Sequence, residues 1–471
     1  MKPKIQILSN EEIKHIDRLS RDVLNNVGFI CEDEEAVDYF YKAGAKVDRA
    51  SKRVYLNDKL TDNAISMFIP EVTLHGRNGR EPMLVGGDNL YFGTTGMATN
   101  YYDAENDEYR MTTVDDMIEM TKLCDVLDPP DYMLCNIAPT DVEAEYVDLY
   151  EFKAGMLYSS KHIEAEAADL KNANKIIKMA EFMAGGPENF KKAPFFSFLV
   201  TLTSPLHQRS DSTQLIIEGA KHGIPLFIES GPMAGATSPV TLAETVAIAN
   251  AELLSSMILA KLVNPDVPTI YASWARIINM RNGLVSIGAP EFGMLRIATT
   301  QMGKYYGLPT GGGANITDSL SLDSQSGAEL LATSLLPALS DINMAQGMGL
   351  LAGMNAASED VLMVASEIAN YVKHIRNGIN VDMSSVGYDL IEKIGPCGNY
   401  LGDDHTLFNF KKELWTRTIF DCSPVKEGKE EHHKTGMLEM MKKKKAKLLS
   451  KYERPECPEN AESVLESIIR S

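Results

Sequence analysis

The feature that most constrains this sequence is a repeated alternation of short apolar segments with longer amphipathic segments, from about Asn89 to His374. The short segments are rich in β-branched and aromatic residues, and each is followed by apolar residues at helical spacing. The alternation occurs eight times over roughly 290 residues, which is typical of a (β/α)₈ barrel. An open, doubly wound sheet is the alternative, because periodicity does not reveal closure.

The predicted barrel elements follow one another along the chain, and the last two strands have the weakest pattern. The predicted strands are Asn89–Gly93, Tyr132–Ala138, Lys161–Ala167, Phe195–Thr203, Pro225–Ser230, Thr269–Trp274, Leu308–Thr310 and Ile342–Ala345. The predicted helices lie around Val114–Cys124, Val147–Tyr158, Leu170–Met183, Ser212–His222, Leu242–Leu262, Pro290–Tyr306, Ser326–Leu336 and Glu359–His374.

The sequence predicts three regions within the chain of 471 residues. Residues 1–85 form a cap of helices and short strands, with a helix that begins at Ser9. Residues 86–380 form the barrel. Residues 381–471 form an extension that packs on the barrel and ends in an amphipathic helix. We interpret four consecutive lysines in this extension, Lys442 to Lys445, as a solvated helix face rather than a contact for an acidic partner.

Charge and cysteine content restrict the function classes. The formal net charge of -19 argues against a general affinity for nucleic acid or anionic membranes. Six scattered cysteines without a C-x-x-C pair do not indicate a disulfide framework. The N-terminus has no apolar signal region, and no run of about 18 apolar residues occurs. We therefore expect a soluble, cytoplasmic protein that lies outside the membrane.

Chemistry on such a barrel is expected at the C-terminal ends of the strands. Glu229 ends the fifth predicted strand and is followed by Ser-Gly-Pro, and Trp274 and Arg276 follow the sixth. Glu164 and Glu166 share one face of the third strand, where buried carboxylates are either functional or paired with basic groups. The alternative for Arg276 is a salt bridge on the rim.

The glycine run after the seventh strand, Gly311-Gly312-Gly313, is not a phosphate loop, because no G-x-x-x-x-G-K-[ST] or G-x-G-x-x-G pattern surrounds it. Such glycines allow a large flat partner to approach the backbone, or they only shape the loops of the barrel. No metal site is expected, because the histidines and cysteines do not have ligand spacing. A G-x-S-x-G nucleophile motif is also absent.

One segment is far more specific than the others: Glu229–Leu254, ESGPMAGATSPVTLAETVAIANAELL, resembles the trimethylamine methyltransferase family. Further pieces of the family pattern follow the same order along residues 85–425. They are Thr203-Ser204-Pro205-Leu206, Pro290-Glu291, Thr317-Asp318-Ser319, Asp323 to Gly327, Glu329, His405-Thr406 and FNFKKELW from Phe408 to Trp415.

The resemblance implies a barrel that transfers a methyl group from an amine to a corrinoid (cobalamin). A partner protein presents this corrinoid, which is not tightly bound by the barrel itself. Founding members carry pyrrolysine in the barrel mouth, at a position expected near Gln346, whereas this chain contains only standard residues. Members without pyrrolysine resemble demethylases of quaternary amines such as glycine betaine, proline betaine and carnitine. A quaternary ammonium expels a neutral amine, so neither a general acid nor a metal is required, and positioning and desolvation carry the catalysis.

The implied roles are hypotheses for named residues. Glu229 and Gln346 are the catalytic candidates. Aromatic faces suit a quaternary cation, and a betaine carboxylate needs hydrogen-bond donors. The candidates for substrate binding are therefore Phe92, Tyr101, Tyr271 and Trp274 for the cation, and Arg276, His207, Asn315 and His405 for the carboxylate. Gly311, Gly312, Gly313 and Gly347 are the candidates for contact with the corrinoid. We also expect a homo-oligomer, by analogy with other barrel enzymes.

Three alternatives remain open. A lyase or aldolase needs a Schiff-base lysine or an acid–base pair at the strand ends, and Lys161 begins its strand rather than ending it. A non-catalytic barrel that binds betaines or amines would bind the ligand without methyl transfer. Within the family, the methyl donor is alternatively a tertiary or secondary methylamine.

Overall fold

A closed ring of eight parallel strands forms the centre of the computed structural model, which describes residues 2–381, 387–422 and 436–471. The strands are β1 Tyr91–Gly93, β2 Tyr132–Met133, β3 His162–Ala165, β4 Phe196–Leu202, β5 Leu226–Ser230, β6 Thr269–Ser273, β7 Thr310–Gly313 and β8 Met344–Gln346. Neighbours in the chain are neighbours in the sheet, and β8 pairs with β1, with Met344 opposite Tyr91. The predicted (β/α)₈ barrel is therefore confirmed over the open sheet.

A helix follows each strand and packs against the outside of the ring. These helices are α1 Val114–Val126, α2 Val147–Tyr158, α3 Leu170–Met183, α4 Ser210–His222, α5 Leu242–Val263, α6 Pro290–Tyr305, α7 Ser324–Leu339 and α8 Glu359–Asn377. Among the described helices, α5 alone has the length and hydropathy of a membrane span, and 83% of that apolar stretch is buried inside the protein.

The barrel interior is filled by side chains from alternate positions of the strands, as the two-residue period requires. Leu199, Phe227, Ile270 and Met344 form one apolar cluster there. A hairpin of two strands, Glu71–Leu74 and Met83–Gly86, adds its own apolar side chains to that cluster. This hairpin therefore closes the N-terminal end of the barrel, and the C-terminal end remains the open one.

The N-terminal region is attached to the barrel through a shared sheet. Its helices are Asn10–Asp22, Val23–Val27, Glu34–Lys42 and Asp58–Ile65, and its first strands are Phe29–Cys31, Lys46–Asp48 and Arg53–Tyr55. A capping box between Ser9 and Glu12 begins the first helix. The strand Phe29–Cys31 pairs in parallel with His207–Gln208, which lies in the loop after β4.

The C-terminal region contributes helices Tyr388–Ile394, Asp404–Glu413, Met437–Leu449 and Ala461–Arg470. The third contacts α1 and α8, and the fourth contacts α2 and α3. Each lysine of the run Lys442–Lys445 forms an ion pair with an acidic side chain of the same chain. The partners, in order, are Glu105, Glu439, Glu367 and Glu359.

The loops between the barrel strands and helices contain further short strands and helices. They are the strands Asn100–Asp103, Glu108–Met111, Met233–Ala234, Arg276–Ile278, Val285–Ser286, Leu350–Leu351 and Ala356–Ala357, and the helices Ala144–Tyr146, Pro187–Lys192 and Ala352–Met354.

Two strands differ most from their predicted bounds. The seventh is Thr310–Gly313, so the glycine run lies within the strand and not in a loop after it. Glycine carries no strand signal because it has no side chain to pack, which is why the prediction placed the strand at Leu308–Thr310. The second ends at Met133, five residues earlier than predicted, because the chain then leaves the ladder.

Candidate active site

A cavity of about 730 Å³ opens at the C-terminal ends of the barrel strands. Glu229 from β5 and the residues Trp274 and Arg276, which follow β6, line its wall. Leu199 and Thr201 contribute from β4, and Glu166 follows β3. Loop residues form the outer part of the cavity: Asn279, Asn282, Leu284–Ile287, Asp318, Leu320 and Ala352–Asn355.

Glu229 is a buried carboxyl group in the wall of this cavity and is 8% exposed. Its Oε1 lies 3.0 Å from the Thr201 hydroxyl, and its Oε2 lies 3.2 Å from the Gln346 amide nitrogen. Gln346 is fully buried at the end of β8, and its amide nitrogen also lies 3.3 Å from the Thr95 hydroxyl. The two predicted catalytic residues are therefore in direct contact.

Burial raises the pKa of Glu229 to about 8, and the negative charge of Glu166 adds to this rise. The hydrogen bond from Thr201 and the charges of Arg276 and Arg296 act in the opposite direction. A carboxyl group with this pKa is mostly protonated at neutral pH, and a bound cation would favour its ionised form.

Arg276 and Trp274 lie beside Glu229 and carry polar atoms that have no partner among the described residues. These atoms are the Arg276 Nε and the Trp274 Nε1, and both are buried. Arg276 Nη1 lies 3.4 Å from the Trp274 carbonyl oxygen. Burial lowers the pKa of Arg276, and Glu229 opposes that shift. Buried donors of this kind are where a ligand carboxylate gains most from binding.

Arg296 adds a second guanidinium behind this wall and was not singled out from the sequence. It is fully buried on α6, where it stacks 4.9 Å from the Phe292 ring and donates to the Ala275 carbonyl oxygen at 2.6 Å. Burial lowers its pKa to about 9, although Glu229 counteracts this. Its Nε and Nη1 have no partner within the described ranges.

A group of carboxylates extends from Glu229 towards α2. Glu166 is half-buried, and its Oε1 lies 3.2 Å from the Thr201 hydroxyl. Burial, with the charge of Asp148, raises the pKa of Glu166. Glu164 lies deeper on β3, and burial followed by the charge of Glu229 raises its pKa well above the usual range. Across the described residues, no three or more His, Cys, Asp or Glu side chains have metal-binding geometry.

Two of the predicted cation-binding aromatic residues lie on the outer face of the barrel. Phe92 packs in the cluster between the strands and α1, and the Tyr271 hydroxyl bonds to the Asn250 amide oxygen on α5 at 2.9 Å. Their immediate neighbours, Tyr91 and Ile270, belong to the interior cluster. Since side chains alternate between the faces of a strand, Phe92 and Tyr271 point to the helices.

Four more predicted substrate residues lie away from the cavity, and the side chains of three of them have a partner elsewhere. The Tyr101 ring is 4.4 Å from the Arg110 guanidinium, and His207 Nε2 is 2.9 Å from a Glu32 oxygen in the N-terminal region. Asn315 is fully buried and donates to the Ala365 carbonyl oxygen on α8. His405 is exposed on the helix Asp404–Glu413. Trp274 is therefore the one predicted aromatic residue that lines the cavity.

The four glycines predicted to contact a corrinoid are buried inside the protein. A Cβ on Gly311 would meet the Phe227 ring at 2.4 Å, and one on Gly313 would meet the rings of Phe292 and Trp274 at 2.6 and 2.8 Å. Gly312 and Gly347 would meet neighbouring carbonyl oxygens at 2.2 Å. The contacts support a packing role in which Gly311 and Gly313 make room for aromatic rings, and Gly312 and Gly347 make room for backbone carbonyl groups.

Two residues of the site, Thr201 and Arg296, were missed by sequence reasoning. Thr201 lies in the interior of a strand and Arg296 in the middle of a helix, where residue type alone suggests nothing. Asp318 was part of a family motif without an assigned role. It accepts hydrogen bonds from the Ser286 hydroxyl and from backbone amides at Ile287 and Gly288, so it shapes a loop that lines the cavity.

A closed parallel barrel with buried ionisable groups around a cavity at the C-terminal ends of its strands defines a (β/α)₈-barrel enzyme. The family model of trimethylamine methyltransferase (MTTB) matches residues 1–471, and the chain belongs to this methyltransferase family.

Named relatives agree with this assignment. The chain is 31% identical over 411 residues to the trimethylamine methyltransferase MttB of Desulfitobacterium hafniense (strain DSM 10664 / DCB-2), covering 87% of this chain and 83% of the relative. It is 30% identical over 423 residues to the glycine betaine methyltransferase of Desulfitobacterium hafniense (strain Y51), covering 89% and 88%.

A solved structure supports the fold. The monomethylamine methyltransferase (MtmB) of Methanosarcina barkeri superposes with a TM-score of 0.50 at 15% identity, covering 93% of this chain and 92% of that one. A structure of the hydroxylamine MtmB complex gives a TM-score of 0.52 at 13% identity, covering 97% and 92%.

Proposed function

We propose that this protein demethylates a quaternary amine that carries a carboxylate, such as glycine betaine, proline betaine or carnitine, and transfers the methyl group to the reduced corrinoid of a partner protein. One observation carries the proposal: a carboxyl group, an indole ring and a guanidinium, from Glu229, Trp274 and Arg276, line one cavity. A zwitterion that bears a cation at one end and a carboxylate at the other complements this set.

Each end of such a substrate meets a suited group. The quaternary nitrogen gains from the Trp274 ring face and from an ionised Glu229. The substrate carboxylate gains from Arg276, whose buried Nε has no partner among the described residues. Arg296, behind Arg276, keeps the potential of this wall positive.

The rim of the cavity fits the docking of a broad, flat group held by another protein. Leu284 and Leu320 line the cavity and are 64% and 68% exposed, and Met280 on the same loop as Leu284 is 77% exposed. Exposed apolar side chains around an opening are typical of a surface covered by a partner. The rim is therefore a better candidate for the corrinoid contact than the buried glycines.

The residues of this chain position the substrate and exclude water. A reduced corrinoid, when bound, supplies the electron pair that accepts the methyl group. Trp274 and Arg276 hold the two ends of the substrate, so that one N-methyl group faces the open mouth of the cavity. The ionised Glu229 stabilises the cation in a site that the docked partner shields from solvent. Gln346, which bonds to Glu229, keeps that carboxyl group in place.

A tertiary methylamine is the second candidate, and the similarity to a named trimethylamine methyltransferase favours it. Such a substrate has no carboxylate, so it would leave Arg276 without a ligand partner. The two candidates therefore differ in their dependence on Arg276.

The test is an anaerobic methyl-transfer assay with the full chain, a reduced corrinoid protein and a panel of glycine betaine, proline betaine, carnitine and trimethylamine. The change in visible absorbance of the corrinoid reports transfer. Transfer from one quaternary amine and none from trimethylamine would support the proposal. Transfer from trimethylamine alone would replace it with the second candidate, and binding of a betaine without transfer would indicate a binding protein.

Arg276→Met tests the carboxylate contact within the same assay. Removing a charged donor from a buried carboxylate should lower kcat/KM for the accepted betaine about 10- to 150-fold. Arg276→Lys keeps the charge but not the planar guanidinium, so its kcat/KM should lie between those of the wild-type protein and Arg276→Met. Equal loss with trimethylamine and with the betaine would contradict a carboxylate-specific role.

A further inference from the structure

A second pocket, of about 300 Å³, lies beside the main cavity and takes no part in the proposed methyl transfer. Asp148 and Val147 from α2, and Arg209, Asp211 and Ser212 around the start of α4, line it. It shares Glu166, Leu199 and Thr201 with the main cavity. The side chains of Glu166 and Thr201 therefore form part of the wall between the two spaces.

The Thr201 hydroxyl lies between two carboxyl groups, at 3.0 Å from Glu229 Oε1 and at 3.2 Å from Glu166 Oε1. A hydroxyl has one proton, so it donates to only one of the two groups. To bond to both, it must accept a hydrogen bond from the other carboxyl group, which is then the protonated one. The geometry therefore suits a pair of carboxyl groups that hold one proton and are joined through a hydroxyl.

We propose that Glu229, Thr201 and Glu166 form a proton relay between the reaction cavity and the second pocket. When Glu229 holds the proton, it donates to the Thr201 oxygen, and Thr201 donates to Glu166. When the relay operates, the proton of Glu229 moves to Thr201 as the proton of Thr201 moves to Glu166. The reverse sequence returns a proton to Glu229.

Other ionisable groups surround the relay on each side. Glu164 on β3, Tyr132 on β2, Arg276 and Arg296 act on Glu229. Glu151 and Asp148 on α2 act on Glu166, and Arg209 lines the pocket that Glu166 reaches. Glu151 and Asp148 also have raised pKa values because they are buried. Burial therefore favours the protonated form of the carboxyl groups on this side of the relay.

The role of the relay rests on the proposed function. When a methyl group leaves a quaternary ammonium, the C–N bond breaks and its electron pair remains on the nitrogen of a neutral tertiary amine. This amine is a base. Glu229, which is ionised while the cation is bound, takes a proton through Thr201 from Glu166 and donates it to the amine. Solvent in the second pocket resupplies Glu166 while a docked partner covers the main mouth. The amine then leaves as an ammonium ion, which has no free electron pair and does not accept the methyl group back.

Proton release on ligand binding tests the relay without any corrinoid. The probe is whichever of glycine betaine, proline betaine and carnitine binds most tightly. Its quaternary nitrogen carries no proton and its carboxylate is ionised, so every proton released comes from the protein. At pH 7 the binding of this cation should expel the proton of Glu229, giving up to about one proton for each ligand bound. Calorimetry in buffers of different ionisation enthalpy counts these protons.

The rate of release separates a relay from a merely buried carboxyl group. With a pH-indicator dye in a stopped-flow instrument, Thr201→Val should release protons at least tenfold more slowly than the wild-type protein. Thr201→Ser keeps the hydroxyl and should restore the rate. Glu166→Gln should slow the release as Thr201→Val does. Wild-type rates in both Thr201→Val and Glu166→Gln would overturn the relay.

Failure of the proposed function has a different signature. If none of the three quaternary amines binds, the proposed function fails, and infrared titration of the ligand-free protein decides the relay. Glu229→Gln and Glu166→Gln assign the two carboxyl bands. Thr201→Val should shift both bands and Thr201→Ser should leave them close to wild type. A shift of neither band in Thr201→Val would overturn the relay on its own.

Discussion

The two ends of the barrel bury polar groups in opposite ways. At the N-terminal end, Lys161 is fully buried and its Nζ donates to the carbonyl oxygens of Cys124, Leu127 and Pro130. Beside it, the two ring nitrogens of His162 bond to the His75 carbonyl oxygen and to the Ser197 hydroxyl. The ionisable side chains at this end therefore have partners within the protein.

At the C-terminal end, buried polar atoms in the cavity wall or directly behind it have no partners among the described residues. They include nitrogen atoms of Trp274, Arg276 and Arg296. Burying a polar group without a hydrogen bond costs free energy, and a protein retains such groups chiefly where a ligand completes them. Burial of a polar group alone therefore does not indicate a ligand-binding site. Buried donors without partners beside an open cavity do indicate one.

The largest effect on stability is expected at the closed, N-terminal end of the barrel. Lys161→Met should lower the free energy of unfolding by about 3–5 kcal/mol, because three buried carbonyl groups lose their donor. Urea unfolding followed by fluorescence measures the change. Lys122→Met, which removes an exposed pairing with Glu119 on α1, is the matched control and should change stability by less than about 0.5 kcal/mol. A similar small change for Lys161→Met would remove the contrast between the two ends.

Glu229→Gln should have the opposite effect on stability. Below pH 4.5 this carboxyl group is protonated in both the folded and unfolded chains, so its stabilising contribution is fully present. Between pH 4.5 and its folded pKa of about 8, only the unfolded chain ionises, so the wild-type protein loses stability as the pH rises. Glutamine does not titrate, so the variant should exceed wild type by up to roughly 4 kcal/mol near pH 8.

The same variant should lower the rate of methyl transfer about 100-fold, because it removes the charge that stabilises the bound cation. Urea midpoints from pH 5 to 8 and the corrinoid assay measure the two effects. A variant that is less stable than wild type across this range, with full activity, would place Glu229 among the structural groups, as at the closed end.

Strand positions could be predicted well and strand faces could not. The eight apolar segments located the barrel because burial on both faces leaves a strong signal in the sequence. When both faces of a strand are apolar, the sequence does not show which face points inward, so Phe92 and Tyr271 were predicted to bind the cation although they point to the helices. Trp274 and Arg276 follow β6, at the end that faces the cavity, and both line its wall.

The contacts of the site depend on distances that the sequence does not contain. Arg296 reaches the cavity wall from the middle of α6. Thr201 bonds to Glu229 on β5 and to Glu166, which follows β3. The run Gly311–Gly313 was predicted to let a flat partner approach the backbone. The rings of Phe227, Phe292 and Trp274 fill that space instead, and the sequence does not show this because the rings come from distant segments.

Trp274→Leu should have a smaller effect than Glu229→Gln. Loss of the indole face should weaken the binding of a quaternary amine by about 1–2 kcal/mol, which raises KM about 5- to 30-fold. Trp415→Leu is the matched control, because the second tryptophan of the chain packs against Tyr371 on α8 and not in the cavity. Equal effects of the two substitutions would argue that Trp274 acts through packing with Phe292 alone.

The smallest effect on stability is expected at His207. This residue was predicted to bind substrate, but its side chain contacts Glu32 in the N-terminal region. His207→Ala removes the 2.9 Å contact with Glu32, and the histidine side chain is 33% exposed, so the free energy of unfolding should fall by less than about 1 kcal/mol. The contact with His207 is the main reason that the pKa of Glu32 is lowered. Glu32→Gln should therefore cost a similar amount, and the double variant little more than either single one.

The activity of His207→Ala shows whether the contact between His207 and Glu32 supports the cavity or only attaches the N-terminal region. His207 lies in the loop after β4, and the strand His207–Gln208 joins that loop to the N-terminal sheet. If the loop only attaches the N-terminal region, kcat/KM of His207→Ala should remain within about twofold of wild type, since less than 0.5 kcal/mol of transition-state binding would be lost. A tenfold fall with unchanged stability would instead mean that the N-terminal region positions Thr201 through β4, and the cavity would then depend on a region that does not line it.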